Sequence, residues 1–228
     1  MEYVVKPSAI PSVPVNNTDE FFPVHRIYCV GRNYSDHVKE MGGDPKQEPP
    51  IFFSKPASAC VVGNQDVNYP QATSDLHHEV ELVVALKSGG KDLSIESALD
   101  CVYGYAVGID FTRRDLQAIA KNNGRPWDVA KGFDQSAPIS SIAPASECGH
   151  PVDSRITLKV NGEIRQQAKL DEMIWAVPEI ISSLSQFFEL KSGDLIYTGT
   201  PAGVAAVGVG DTLSASIEGV GELEFNIV

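Results

Sequence analysis

Two stretches of this chain that combine apolar residues with carboxylates constrain its fold most strongly. In the first, residues 76–84, polar and apolar residues alternate, which is the period of a half-buried β-strand. Glu79 and Glu81 therefore point to the same face of that strand. The second stretch, residues 105–110, is an apolar strand that ends in Asp110. If the two strands lie together, three carboxylates meet at one place.

Three unpaired carboxylates in a partly buried place repel one another and are costly to desolvate. A hard divalent cation removes that cost, and oxygen ligands favour magnesium, manganese or calcium over zinc. A Glu-x-Glu pair on a strand is more often a solvated face. The strongly apolar residues around Glu79, Glu81 and Asp110 favour the metal site.

Composition describes an ordinary globular protein, since 43% of its 228 residues are hydrophobic and 21% are charged. The net charge of −12 argues against nucleic acid as a partner, because phosphate binding needs clustered Lys and Arg. No apolar stretch reaches the length of a membrane span, and the first residues lack the pattern of a signal peptide. With four widely spaced cysteines and no Cys-x-x-Cys, we expect a cytoplasmic protein with reduced thiols.

The pattern along the chain predicts an N-terminal arm over residues 1–25 and one β-rich catalytic domain over residues 26–228. Asn161-Gly162 favours a type I′ turn, so residues 156–165 are predicted to form a hairpin. A second hairpin is predicted around Gly219. Strands are also predicted at 27–31, 50–56, 79–86, 103–111 and 195–201. Helices are predicted at 33–41, from Ser94, at 113–123 and at 177–190. In the helix at 113–123, Leu116, Ile119 and Ala120 lie on one face.

His37 and Glu40 are three residues apart on the first predicted helix and therefore share a face. A carboxylate beside an imidazole orients the ring and raises its basicity, as a base that activates water requires. A surface histidine beside a helix-favouring glutamate explains the same spacing, and on these two residues alone it is the better explanation.

Other polar residues are candidates for the same site. Lys131 lies among small and apolar residues, where it could stabilise an oxyanion or pair with Asp128 or Asp134. Arg114 and Gln117 follow Asp110 on a helix and could reach back over the metal, although Gln117 could equally be solvated. Residues 198–201, Thr-Gly-Thr-Pro, form a strand-end turn that offers hydroxyls and an N–H group to a carboxylate, or is a plain structural turn.

Taken together, these motifs resemble the fumarylacetoacetate hydrolase family from about residue 26 to the C-terminus. Each motif is short, but six of them in the family's order are highly specific. The subfamily that the chain resembles most is that of bacterial fumarylpyruvate hydrolases. The matching segments are Gly31–Tyr34 with His37 and Glu40, Phe53–Pro56, Glu79–Leu82, Gly108–Asp110 with Arg113–Gln117, Lys131–Asp134 and Thr198–Pro201.

The resemblance implies a β-rich α+β fold, a mixed β-sandwich roll of the kind formed by the family's C-terminal domain, and a homodimer. It implies Mg²⁺ or Mn²⁺ on Glu79, Glu81 and Asp110. It also implies a His37–Glu40 pair on a segment that orders over the bound substrate. The longer fumarylacetoacetate hydrolases have a separate N-terminal domain that this chain lacks, which makes fumarylacetoacetate itself a less favoured substrate.

From these features we expect hydrolysis of a carbon–carbon bond in an acylpyruvate, most simply fumarylpyruvate, a small 2-oxo acid. His37 and Glu40 would activate water, and Lys131 with Gln117 would stabilise the oxyanion. Thr200 would bind substrate, and the distal carboxylate would be received by an arginine: Arg32, Arg114 or Arg125. Oxaloacetate decarboxylation, isomerisation of unsaturated 2-oxo acids, and a catalytically silent binding protein with a structural cation are the alternatives.

Overall fold

A computed structural model describes residues 3–36 and 49–228 of the chain. The strands, numbered in chain order, are β1 Ser12–Pro14, β2 Phe21–Pro23, β3 Arg26–Gly31, β4 Ile51–Lys55, β5 Cys60–Val61, β6 Leu76–His77, β7 Val80–Leu86, β8 Val102–Ile109, β9 Thr112–Arg113, β10 Ala137–Pro138, β11 Ala143–Pro144, β12 Arg155–Val160, β13 Glu163–Lys169, β14 Asp194–Tyr197, β15 Ala206–Val207, β16 Thr212–Ile217 and β17 Gly221–Asn226. The α-helices are α1 Ile95–Ala98, α2 Arg114–Asn122, α3 Asp128–Lys131, α4 Ala145–Cys148 and α5 Val177–Phe187, and 3₁₀ turns span Ala57–Ala59, Leu99–Cys101 and Leu170–Glu172.

A six-stranded mixed sheet forms the centre of the fold, in the order β11-β8-β7-β14-β3-β4. β3 and β14 are parallel, and every other pair in this sheet is antiparallel. All seven residues of β7 are buried, because both faces of the sheet are covered. Leu82 and Val84 enter one apolar cluster, whereas Val83 and Ala85 enter another on the opposite face.

A four-stranded antiparallel sheet, β13-β12-β16-β17, contributes its alternate buried residues to the larger apolar cluster. Ile156 and Leu158 of β12 meet there with Ile181 and Leu184 of α5. The smaller cluster includes Val13 of β1, so residues of the N-terminal segment pack into the protein core. These layers confirm the predicted β-rich α+β fold, a mixed β-sandwich roll.

Both predicted hairpins are present. β12 and β13 are joined by Asn161 and Gly162, whose φ angles of 52° and 82° are the positive values that a type I′ turn requires. β16 and β17 pair around Gly219 as expected. The short helix predicted from Asn33 or Ser35 through Met41 falls mostly on residues 37–48, which lie outside the described residues.

Helix α2 is confirmed, and of its predicted apolar face Ala120 is buried and Leu116 half-buried, but Ile119 is not buried. Gln117 and Ala120 are buried, whereas Ile119 is 52% exposed. The helix is rotated so that its polar stripe faces the ends of the central strands. The expectation that only apolar residues of a helix face inward fails here, because Arg114 on the polar stripe has an ionic partner inside the protein.

Candidate active site

The topology of the central sheet brings the three predicted carboxylates together. β7 begins beside the end of β8, with Val80 opposite Ile109, and the Asp110 N–H donates to the Glu79 carbonyl at 2.8 Å. Glu79, Glu81 and Asp110 each offer a carboxylate oxygen, and these three atoms lie within 4.8 Å of one another. All three residues are at least nine-tenths buried.

Two of the three carboxylates are paired with cations, which corrects the expectation of three unpaired groups. The Lys131 ammonium donates to Glu79 Oε2 at 2.8 Å and to Asp110 Oδ2 at 2.7 Å. Arg114 Nη2 lies 2.5 Å from Glu79 Oε1, and Lys55 Nζ lies 2.8 Å from Asp110 Oδ1. Among the described residues only Glu81 of the three has no cation in contact.

Glu81 is therefore the member whose charge is least compensated. Its carboxylate accepts a hydrogen bond from the Gly199 N–H at 2.8 Å. Burial, followed by repulsion from Asp110 and Glu79, raises the pKa of Glu81 well above its usual range. A cation beside Glu81 would favour the charged carboxylate and so lower this pKa.

The donor set fits a hard divalent cation. All three candidate ligands are carboxylates, and no soft sulfur or imidazole ligand belongs to the cluster within the described part of the chain. Asp110 Oδ1 is buried and accepts no hydrogen bond from any described group, although the Lys55 ammonium is near it. The triad can thus hold a divalent metal ion, with Asp110 Oδ1 in an ion pair with Lys55 but without a hydrogen bond.

Lys131 is 2% exposed, and its ammonium lies 5.0 Å from the centroid of the Phe53 ring. Burial by itself would lower the Lys131 pKa, but attraction by Asp110 and Glu79 outweighs it, so that the pKa is raised. The predicted alternative, a salt bridge to Asp128 or Asp134, is wrong. Lys131 is a buried cation of the triad itself.

Arg114 and Gln117 do reach back over the triad from α2. Arg114 Nη1 donates to Gln117 Oε1 at 2.6 Å, while its other terminal nitrogen contacts Glu79. Gln117 is 3% exposed, so the alternative of a solvated position is wrong.

The turn at residues 198–201 closes another side of the site. Gly199 has a φ of +98°, and a Cβ atom there would lie 2.6 Å from Asn33 Cβ, so only glycine fits. The Thr200 hydroxyl donates to the Val80 carbonyl at 2.9 Å and accepts from Gln166 Nε2 at 2.8 Å. These bonds fix the turn against the first residue of β7.

Gln166 anchors this arrangement from the neighbouring sheet, and sequence reasoning missed it. The side chain is 1% exposed; its Nε2 also donates to the Pro201 carbonyl, and its Oε1 accepts from the Val80 N–H at 3.1 Å. His78 Nδ1 lies 2.9 Å from the same oxygen. Burial lowers the pKa of His78 to about 4, so the ring is neutral and donates through Nδ1.

The triad opens into a cleft of about 430 Å³, a volume that includes solvent space outside its mouth. The cleft contains several predicted residues but not Arg125, which lines a neighbouring cleft that shares Phe53, Trp127 and Lys131 with the first. His37 and Glu40 lie outside the described residues. The lining residues are Val30, Gly31, Arg32, Phe53, Glu79, Glu81, Arg114, Gln117, Lys121, Trp127, Lys131 and Thr200.

Lys55 and Lys121 are cations of the site that the sequence analysis did not single out. Lys55 is 3% exposed and donates to the Phe111 and Lys131 carbonyls, besides its ion pair. A lysine within an apolar strand bounded by prolines was a usable signal. Lys121 follows Arg114 and Gln117 at helical spacing, and that stripe was a signal too.

Comparison with known proteins places this geometry in context. A model of the fumarylacetoacetate (FAA) hydrolase C-terminal family matches residues 26–228. The crystal structure of fumarylpyruvate hydrolase from Pseudomonas aeruginosa in complex with Mn²⁺ and pyruvate is similar at a TM-score of 0.98 and 48% identity, over 100% of this chain and 99% of that chain.

Relatives named for other reactions are nearly as similar. The mitochondrial oxaloacetate tautomerase of Rattus norvegicus is 45% identical over 201 residues, which is 88% of this chain and 90% of that protein. The mitochondrial oxaloacetate decarboxylase of Dictyostelium discoideum is 40% identical over 205 residues, which is 89% of this chain and 94% of that protein. Within the described residues, none of the helices is long and apolar enough to cross a membrane.

Proposed function

This chain belongs to the fumarylacetoacetate hydrolase family, and we propose that it hydrolyses the carbon–carbon bond of an acylpyruvate, fumarylpyruvate before others, to fumarate and pyruvate. The observation that carries the proposal is the buried Glu79, Glu81 and Asp110 triad with Lys131 in contact with two of its members. Similarity along the full chain to a fumarylpyruvate hydrolase complexed with Mn²⁺ and pyruvate supports this choice of substrate.

Mg²⁺ or Mn²⁺ would be held by Glu79, Glu81 and Asp110. When bound, the ion supplies Lewis-acid charge for the oxygens of a 2-oxo acid. Arg114 keeps Glu79 oriented through its 2.5 Å contact, and Gly199 keeps Glu81 oriented through its N–H. These bonds hold the carboxylates in place before any substrate arrives.

The chain's own groups supply the remaining chemistry. His37, oriented by Glu40, takes a proton from water, and the hydroxide attacks the acyl carbonyl. When the resulting oxyanion collapses, the carbon–carbon bond breaks, and the pyruvate enolate that leaves takes the proton back from His37.

Lys131 keeps its charge in a buried place, so its ammonium can stabilise the oxyanion that forms, with Gln117 as the neighbouring amide. Thr200 lines the cleft and would bind the substrate carboxylate through its backbone N–H, because its hydroxyl already donates to the Val80 carbonyl.

The proposal is tested by following the ultraviolet absorbance of fumarylpyruvate with enzyme, with and without Mg²⁺ or Mn²⁺, and assaying pyruvate. We expect metal-dependent decay with one pyruvate formed for each substrate consumed. Absence of decay, or decay without pyruvate, would overturn the hydrolase assignment.

The role of His37 is tested separately. In His37→Ala we expect the kcat of hydrolysis to fall about a hundredfold or more, whereas the Kd of Mn²⁺ measured by calorimetry stays unchanged. Near-normal turnover would remove His37 from the mechanism.

A second candidate function, acting on oxaloacetate, is favoured by the relatives named tautomerase and decarboxylase. Decarboxylation requires no attack by water, so it should depend less on His37 than hydrolysis does. Comparing wild type and His37→Ala on both fumarylpyruvate and oxaloacetate distinguishes the two functions.

Two expectations about the whole protein accompany the proposal. We propose a homodimer, which light scattering on the purified protein would test against a monomer of 24.6 kDa. We also propose a cytoplasmic location, which fractionation of the source cells would test.

A further inference from the structure

The guanidinium of Arg114 is held on three sides, and one of its partners is a histidine that the proposed mechanism does not use. Arg114 Nη2 lies 2.5 Å from Glu79 Oε1, and Nη1 donates to Gln117 Oε1 at 2.6 Å. The remaining nitrogen, Nε, donates to His77 Nδ1 at 3.4 Å. Each nitrogen of the guanidinium thus has its own acceptor, and together these contacts fix the planar group in one orientation against the triad.

The backbone brings His77 beside Arg114. In the pair of short strands β6 and β9, His77 lies opposite Thr112. The Arg114 N–H, at the start of α2, donates to the Asp75 carbonyl at 2.8 Å. The first residue of α2 is therefore tied to the segment that carries His77, and only 18% of the His77 side chain is exposed to water.

Asp75 fixes the ring of His77 from the other side. His77 Nε2 lies 2.8 Å from Asp75 Oδ1. An arginine nitrogen can only donate, so His77 Nδ1 must carry the lone pair and Nε2 the proton. Nε2–H therefore donates to the Asp75 carboxylate, which sets the tautomer and the ring orientation that Arg114 requires. A continuous series of polar contacts thus runs from Asp75 through His77 and Arg114 to Glu79.

We propose that His77 is a positioning residue of the metal site, which holds Arg114 in the orientation that presents Glu79 to a divalent cation. This inference rests on the ligand set of the proposed function. Groups that hold metal ligands in place contribute to metal affinity, because they orient the ligands before the metal arrives. Within the described part of the chain His77 has no hydrogen bond to any carboxylate of the triad, so its effect should reach the metal through Arg114.

Binding of Mn²⁺ to the metal-free protein, measured by calorimetry, tests this role without any substrate. In His77→Leu we expect the Mn²⁺ Kd to weaken about 3- to 10-fold, less than for a group bonded directly to a metal ligand. His77→Asn should restore most of the wild-type Kd, because its side-chain oxygen can replace Nδ1 as acceptor. His25→Leu is the matched control, since His25 also lies 2.8 Å from an aspartate, Asp194, but outside the cleft.

A double-mutant cycle shows whether His77 acts through Arg114. In an Arg114→Met background, His77→Leu should no longer change the Kd, whereas a general loss of structure would add to the effect of Arg114→Met. An unchanged or tighter Kd in His77→Leu, no recovery in His77→Asn, an equal loss in His25→Leu, or additivity in the cycle would each overturn the assignment.

The same measurements separate this inference from the proposed function. Wild type that binds no Mn²⁺ would overturn the ligand set and the role of His77 together. If wild type binds Mn²⁺ but hydrolyses no acylpyruvate, the proposed function fails, while the Kd values still decide the role of His77.

Discussion

Glu81→Gln tests the electrostatics of the triad more directly than any other substitution. Glu81 is 1% exposed, has no cation in contact among the described residues, and lies within 4.8 Å of carboxylate oxygens of Glu79 and Asp110. Two unit charges at that separation repel by about 3.5 kcal/mol at an effective dielectric constant of about 20. Lys131 and Lys55 offset part of this repulsion.

We therefore expect the metal-free Glu81→Gln protein to be more stable than wild type by about 1–3 kcal/mol at pH 8. Glutamine keeps an oxygen that accepts from the Gly199 N–H, so that hydrogen bond survives the change. The raised pKa of Glu81 sets the sign of the pH dependence. Metal-free wild type should lose stability as pH rises from about 4.5 through the raised pKa, and the variant should lack that loss.

The assay is urea unfolding in a chelator and again in excess Mn²⁺, across pH 5–8. Mn²⁺ should raise the free energy of unfolding of wild type far more than that of Glu81→Gln, because the variant loses a charged ligand. Glu218→Gln is the control, since that side chain is 63% exposed and, among the described residues, forms its ion pair with Arg155 at the surface. A metal-free Glu81→Gln protein less stable than wild type, or equal stabilisation of both by Mn²⁺, would refute the reasoning.

Three further predictions concern the groups that support the site. Gln166→Leu should cost about 2–4 kcal/mol of unfolding free energy in urea titrations, because it leaves buried polar partners unsatisfied, whereas the exposed Gln167→Leu should cost little. Gly199→Ala should lower Tm by far more than Gly219→Ala. Both glycines have a positive φ, but a Cβ at Gly199 would clash with Asn33, whereas a Cβ at Gly219 would meet nothing within 4 Å. Equal losses of Tm would contradict this. Burial lowers the pKa of His78 to about 4, so wild type should lose about 3 kcal/mol of unfolding free energy as pH falls from about 6.5 to about 4. The His78→Asn protein, measured in the same chelator, should lose correspondingly less.

The strands that carry the triad could be predicted because their signal is local. Alternation around Glu79 and Glu81 fixes which side chains share a face, and a carboxylate at the end of an apolar run is unusual enough to mark Asp110. The hairpin at Asn161-Gly162 was predictable for the same reason, since the turn chemistry is contained in two adjacent residues.

Other parts of the site depend on contacts that sequence spacing does not show. The orientation of α2 is decided by Arg114 reaching Glu79, 35 positions away, and that ionic contact outweighs the exposure of Ile119. Gln166 reaches the Thr200 turn from a different sheet. Neither contact follows from local propensity, so both the buried face of the helix and the anchor of the turn required the structure.

Charge balance in the site argues for an anionic 2-oxo acid whichever reaction follows. Three cations, Lys55, Lys131 and Arg114, contact Asp110 or Glu79 and so equal the three carboxylates in number. A divalent ion bound by the triad would make this cluster net positive. Hydrolysis of fumarylpyruvate and reactions of oxaloacetate both begin with such an anion. The chemistry that separates them must therefore lie in water activation, where the sequence offers His37 and Glu40.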